Sequence, residues 1–198
     1  MTRALTEEEV SDIIYCARAS DLEWFKEELN ELHRELELPY SEILLQVRDP
    51  YSKSTPLHMA CANGHIEIVD YLLSFFAPDA EPTIVTAQND SGNTALHWAC
   101  LNGNLEIIKR LCDHNADPLV KNLAGQDSIY QAENNDKMDV VDYLLERFQD
   151  RLEAELDIKD EPADEESSRI AVTDDKEKVL NDENELNDKV KSLEVNDK

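Results

Sequence analysis

Between Thr55 and Leu73 the apolar residues fall into two short helical stripes. Leu57 and Ala60 mark the first; Ile66, Val69, Leu72 and Leu73, at three- and four-residue steps, mark the second. Thr55 stands where a helix N-cap would accept from free N–H groups, and Pro56 where the first helical residue would be. Asn63-Gly64 separates the stripes with residues that tolerate positive φ. The unit then returns. Thr55-Pro56-Leu57-His58-Met59-Ala60-Cys61-Ala62-Asn63-Gly64 is echoed 39 residues on by Thr94-Ala95-Leu96-His97-Trp98-Ala99-Cys100-Leu101-Asn102-Gly103. A worn copy starts 33 further along, Asp127-Ser128-Ile129-Tyr130-Gln131-Ala132, and continues to Met138-Asp139-Val140-Val141. Another lies upstream between Ser11 and Phe25, with Ile14 and then Cys16-Ala17-Arg18-Ala19-Ser20-Asp21-Leu22. Asn89-Asp90-Ser91-Gly92 and Asn122-Leu123-Ala124-Gly125 place β-turn chemistry ahead of two of the caps. Such copies predict a stack in which each helical pair buries its apolar face against the next.

The T-P-L-H-x-A signature at residues 55–60, with a repeat near 33 residues, resembles the ankyrin-repeat family. The resemblance implies an all-α solenoid of about four helix-turn-helix repeats with finger turns over residues 1–157, its repeats running roughly 8–48, 49–88, 89–121 and 122–157. Departures from the pattern carry expectations of their own. Lys53 takes the place of a finger-turn glycine, so that turn should differ in shape. Ser20 and Asp136 replace the inter-helix glycine, at about 1 kcal/mol each if positive φ is kept. Both sit in the outer, degenerate copies, as suits caps whose far side meets water. Residues 37–51 and 74–87, the latter with Pro78 and Pro82, exceed the repeat and read as extended loops. The last helix is expected to run on through Leu144, Leu145, Phe148 and Leu152.

Charge narrows the partners. The 198 residues hold 45 Asp and Glu against 19 Lys and Arg, a formal net charge of −26, with −17 on residues 1–150 and −9 on 151–198. Either part would repel a polyanion or the negative inner leaflet, so neither direct nucleic-acid binding nor a membrane partner is expected, and a basic protein is. Residues 158–198 read as an acidic disordered tail. Asp160, Glu161, Asp164, Glu165 and Glu166 crowd a stretch with few apolar residues. Val179, Leu186, Val190 and Leu193 then recur at seven-, four- and three-residue steps. Two readings stand: a short amphipathic helix near 176–195 formed on a partner, or a frayed helix in a solvated tail. The first residues pass straight into Glu7, Glu8 and Glu9 without an apolar signal core, no stretch nears the roughly 18 apolar residues of a spanning helix, and the four cysteines form no C-x-x-C pair. A reduced, intracellular, monomeric protein is expected.

Catalysis finds no footing. The phosphate-cradling, nucleophile-elbow and H-E-x-x-H patterns are absent, and all four glycines already have places in turns. Among 45 carboxylates a close pair is unremarkable and reads as solvated surface. His58-x-x-Cys61 and His97-x-x-Cys100 have ligand types at helical spacing. Equivalent repeat positions point the same way along a stack, however, on helices about 8–10 Å apart, while zinc gathers four donors around one point at roughly 2.0–2.3 Å. They read as structural histidine and packing cysteine. Neither an enzyme nor a cofactor is expected.

By similarity to the ankyrin pattern, partner contacts gather at the finger tips and on the concave side of the first helices. Those positions are Tyr51, Ser52, Ser54, Asp90, Ser91, Asn93, Leu123 and Gln126, then Leu101, Asn102, Asn134 and Asn135. Met59, Trp98 and Gln131 share the place after the signature histidine, either packing between first helices or serving as partly exposed anchors. The order of motifs, the chain length and the acidic tail together resemble the small fungal ankyrin-repeat chaperones of a KH-domain ribosomal protein of the small subunit. That resemblance implies a dedicated chaperone of cytoplasm and nucleus, which keeps the newly made basic protein soluble and delivers it for subunit assembly. An adaptor in proteasome assembly or signalling, or an enzyme inhibitor, are the alternatives.

Overall fold

A computed structural model describes residues 3–78 and 83–153. The chain divides into units of Met1–Gln149 and Asp150–Lys198, and helices α1–α9 lie in the first. They are α1 (Glu7–Ala19), α2 (Leu22–Leu36), α3 (Tyr40–Gln46), α4 (Pro56–Asn63), α5 (Ile66–Leu73), α6 (Ala95–Asn102), α7 (Leu105–Asp113), α8 (Ser128–Glu133) and α9 (Met138–Arg147). Four pairs, α1–α2, α4–α5, α6–α7 and α8–α9, pack in sequence. Their first helices α1, α4, α6 and α8 form one row, and α5, α7 and α9 follow one another in a second. No strand forms among the described residues.

Local chemistry sets the helix ends. Thr6 and Glu9 form a reciprocal cap on α1, and the side chains of Asp21, Thr55 and Asp127 accept backbone N–H groups at the starts of α2, α4 and α8. After the first helix of each pair the backbone turns left-handed, at Gly64 (φ 77°) and Gly103 (φ 76°) and equally at Ser20 (φ 65°) and Asp136 (φ 56°). The outer copies therefore keep the turn and carry its strain. The finger turns of Asn89 and Asn122 close by backbone bonds to Asn93 and Gln126, whereas the first closes from Asp49 to Ser54 and is one residue longer. Lys53 holds the left-handed position there, φ 54°.

Neighbouring repeats are tied at the ends of the first helices, the second and third at both ends. The His58 ring donates from Nε2 to the Asn93 carbonyl (2.9 Å) and the His97 ring to that of Gln126 (3.2 Å). At the other end His65 Nε2 donates to the Arg18 carbonyl (2.9 Å) and Asn104 Nδ2 to that of Cys61 (3.1 Å). Between these ties Leu57, Ile68, Leu72, Leu96, Ile108 and Leu111 are fully buried.

The structure corrects two expectations. Residues 37–51 are not an extended loop: they contain α3, whose Ile43 and Leu44 are completely buried, as is Val47 at its end. Tyr40 stacks on His33 of α2 (centroids 4.3 Å) and meets Phe75 beyond α5 (4.9 Å), so the insertion joins two repeats through its own core. The last helix stops at Arg147, because Phe148 leaves helical geometry (φ −112°, ψ 18°), with a helical segment resuming at 149. No helix among the described residues is long and apolar enough to cross a membrane.

Candidate protein-binding face

The finger tips and the row α1, α4, α6, α8 carry the residues singled out above, and they divide into a brace and a presented edge. Ser54 and Asn93 belong to the brace. Ser54 is buried (3 % exposed), its hydroxyl accepting from Asn89 Nδ2 at 3.2 Å. Asn93 gives its carbonyl to His58 and its Oδ1 to Asn122 Nδ2 (2.8 Å). Gln126 likewise accepts from His97 through its carbonyl and from Gln131 Nε2 through Oε1 (3.0 Å). Ser52 and Ser91 link the fingers in series, the Asp90 and Leu123 amides donating to their carbonyls at 2.9 and 3.0 Å. What is presented outward is the remainder: Tyr51 (92 % exposed), Leu123 (81 %), Asp90 and the Ser91 side chain.

On the helices, Met59, Trp98 and Gln131 are half-buried, as is Leu101; Asn134 is exposed. The Trp98 indole N–H is buried without a hydrogen-bond partner, while Met59 Sδ receives the Arg18 guanidinium at 3.6 Å. Asn102 and Asn135 have a counterpart that the sequence reading missed, Asn63, at the same repeat offsets of 39 and 33. Each amide nitrogen is engaged with the carbonyl four residues earlier, at 2.8, 3.1 and 2.8 Å for Asn63, Asn102 and Asn135. Each side-chain oxygen is left as an acceptor, so the row offers lone pairs rather than charge.

Negative charge lies to one side. A groove of about 240 Å³ between α1 and α2 is lined by Glu8, Glu9, Asp12, Glu28, Glu31 and Glu35. Arg3 spans part of it, donating to Glu9 Oε2 (2.9 Å) and Glu35 Oε2 (2.7 Å); that bond from Arg3 is the first cause of a Glu9 carboxyl lowered to about 2. The tail residues Asp160, Glu161, Asp164, Glu165 and Glu166, the segment 176–195 and residues 79–82 lie outside the described residues.

His58, His65, His97 and the cysteines have structural occupations. His58 Nδ1 accepts the Thr55 N–H (3.1 Å) and pairs with its hydroxyl (2.8 Å), so with Nε2 on Asn93 both ring nitrogens are engaged. The four cysteines are buried and unpaired. Burial pushes Cys16 and Cys112 up to about 12 and raises Cys61 and Cys100 as well, which keeps them as thiols, neither nucleophiles nor ready metal ligands.

Residues 14–122 match the family model for ankyrin repeats, in three copies. The chain belongs to the ankyrin-repeat family. The fourth ankyrin-like pair, α8–α9, lies past the matched segment, where the signature has worn to Asp127-Ser128-Ile129-Tyr130. Among ankyrin-repeat proteins it is 47 % identical over 149 residues to ankyrin repeat-containing protein YAR1 of Saccharomyces cerevisiae, covering 73 % of this chain and 72 % of that protein. It is 35 % identical over 138 residues to ankyrin repeat-containing protein P16F5.05c of Schizosaccharomyces pombe, covering 70 % and 85 %. Its fold is similar to a chain in the crystal structure of the yeast ribosomal protein Rps3 in complex with its chaperone Yar1, with a TM-score of 0.63, 40 % identity, and 73 % of this chain and 96 % of that one covered.

Proposed function

We propose that this protein is a dedicated chaperone of the Rps3-type KH-domain protein of the small ribosomal subunit. It holds the newly made protein, keeps it soluble and delivers it to the assembling subunit, working in cytoplasm and nucleus. The observation that carries this reading is the 40 % identity, over 73 % of the chain, to a chain of the solved Rps3–Yar1 complex.

The physical chemistry is suited to the task. A free rRNA-binding protein has basic surfaces that gather RNA or aggregate, and a chain of net charge −26 attracts and screens them. The finger tips with Tyr51, Asp90, Ser91 and Leu123, the half-buried Met59 and Trp98, and the acceptor row of Asn63, Asn102 and Asn135 form the recognition face in this proposal. Residues 158–198, with their acidic run from 160 to 166, add weakly specific attraction. The work is binding rather than catalysis, and His58, His65, His97 and the four cysteines serve bracing and packing.

The test is affinity purification of the tagged protein from its native cells, followed by mass spectrometry with and without RNase. An Rps3 orthologue in stoichiometric amount, retained after RNase, is the expected result. Proteasome subunits, an enzyme, or no dominant ribosomal protein would overturn the reading.

A further inference from the structure

The longer first finger stands off α1 and leaves a cleft of about 480 Å³. Its walls include Asp12, Tyr15 and Arg18 of α1, Trp24 of α2, and Asp49 and Tyr51 of the finger. Three aromatic side chains meet in this one open cleft, and two are well exposed, Tyr51 at 92 % and Tyr15 at 57 %. The Tyr15 and Trp24 rings lie 5.6 Å apart at 60°, so they meet at an angle instead of closing face to face. Rings gathered in one open cleft give a partner side chain flat faces to pack on.

The carboxylates say by what. Asp49 Oδ2 accepts from the Tyr51 amide (3.2 Å), the Ser52 amide (2.8 Å) and the Ser52 hydroxyl (2.8 Å). Burial pushes this carboxyl up, but those bonds and the charge of Arg18 outweigh burial and hold it below its usual range, hence ionised. Its Oδ1 takes no hydrogen bond among the described residues, and Asp12 makes neither hydrogen bond nor ion pair there. The wall's one cation, Arg18, acts on Asp49 through its charge but gives its hydrogen bond to Met59 of α4, so the two carboxylates outnumber it. Negative potential also reaches the buried Cys16 thiol on the same helix, which burial first and then Asp21, Glu28 and Asp12 push up to about 12.

We propose that this cleft takes a cationic side chain of the client, its charged end between Asp12 and Oδ1 of Asp49 and its stem along Tyr15, Trp24 and Tyr51. Rings and carboxylates together select for a cation. A neutral apolar group would cover two carboxylates without pairing them, and an anion would be repelled. Arginine fits best, because its planar guanidinium both stacks on rings and bridges two acceptors. The inference rests on the chaperone reading only in taking the client to be basic.

The experiment uses the full chain with two probes: the Rps3 orthologue, and an alanine-rich peptide carrying arginines, with its glutamine counterpart as control. Variants are the pairs Tyr15→Leu/Tyr51→Leu and Tyr15→Phe/Tyr51→Phe, and the single Asp12→Asn, each checked for an unchanged melting transition. Affinity is measured by calorimetry, and the Trp24 indole N–H signal is followed by NMR, distinguished from Trp98 with a Trp98→Phe variant. The leucine pair and Asp12→Asn should each weaken Rps3 binding roughly fivefold, while the phenylalanine pair, which keeps the π faces, stays within about twofold. The arginine peptide should shift the Trp24 signal and the glutamine peptide should not. Leucine and asparagine variants that bind like the parent, phenylalanine losses equal to the leucine losses, or an unmoved Trp24 signal would overturn the cleft. Were Rps3 not to bind at all while the arginine-dependent shift persisted and vanished in the leucine pair, the chaperone reading would fall and the cleft would stand.

Discussion

His58 ties two repeats together with one ring. The bond from Nε2 to the Asn93 carbonyl and the bonds at Nδ1 to Thr55 require the neutral tautomer with its proton on Nε2. Burial drives the pKa from 6.5 down to about 4; the Asn93 carbonyl opposes this, and Arg48 and His97 add to it. The folded state thus disfavours a proton that the unfolded chain accepts near its ordinary pKa. Stability from this source is fully present above about pH 6.5 and is lost as pH falls toward about 4, on the order of 3 kcal/mol in total. Burial lowers His97 in the same direction. The melting temperature should therefore drop between about pH 7 and about pH 5, and the His58 ring should show no titration by NMR near its ordinary pKa. His58→Gln should be less stable at neutral pH yet lose less on acidification. An imidazole that titrates near 6.5 in the folded protein would sink this account.

At the scale of elements, α3 decides how the insertion is understood. A surface loop tolerates substitution within about 0.5 kcal/mol, whereas a fully buried isoleucine truncated to alanine costs about 2–5 kcal/mol. Ile43→Ala should fall in the second range by urea denaturation, and a loss no greater than a loop's would return residues 37–51 to that status. The difference between α3 and the repeats also explains what could be read in advance. Thr55, Pro56, Leu57 and Gly64 announce α4 because cap, period and terminator recur 39 residues later. Tyr40-Ser41-Glu42-Ile43-Leu44-Leu45-Gln46 is two turns long, too short to display a period, and one ring that Tyr40 meets, Phe75, is 35 residues away in sequence. The candidate face was legible to the same degree. Repeat offsets locate Asn102 and Asn135, but an offset gives a position and not a direction, so the sequence does not separate Ser54 and Asn93, whose polar groups serve the neighbouring finger, from the presented residues. The cleft at Tyr15 and Asp49 was out of reach, because it exists only where a longer finger meets an irregular first repeat.

At the scale of the whole molecule, the proposed function assigns approach to charge and recognition to the candidate face. A net charge of −26 acts over the Debye length, about 30 Å at 0.01 M salt and about 3 Å at 1 M, while a packed contact does not. Removal of residues 158–198 should therefore weaken client binding at about 0.01 M salt and leave it nearly unchanged at about 1 M. Titration calorimetry at the two ionic strengths reads this directly, and equal affinities with and without the tail at both would remove any role for it.

The ties at the two ends of the first helices have a mechanical consequence. His58 and His97 form one rail and His65 and Asn104 the other, separated by the length of an eight-residue helix, about 12 Å. The third repeat cannot slide past the second without breaking a bond on each rail, while the first and second are held by the His65 bond and the third and fourth by the His97 bond. The candidate face is strung between the two, so its spacing is set by bonds within the stack and would be the same with or without a bound partner. For the chaperone proposed above, such a frame is a reusable mould: release of the client would leave intact the shape that fits the next.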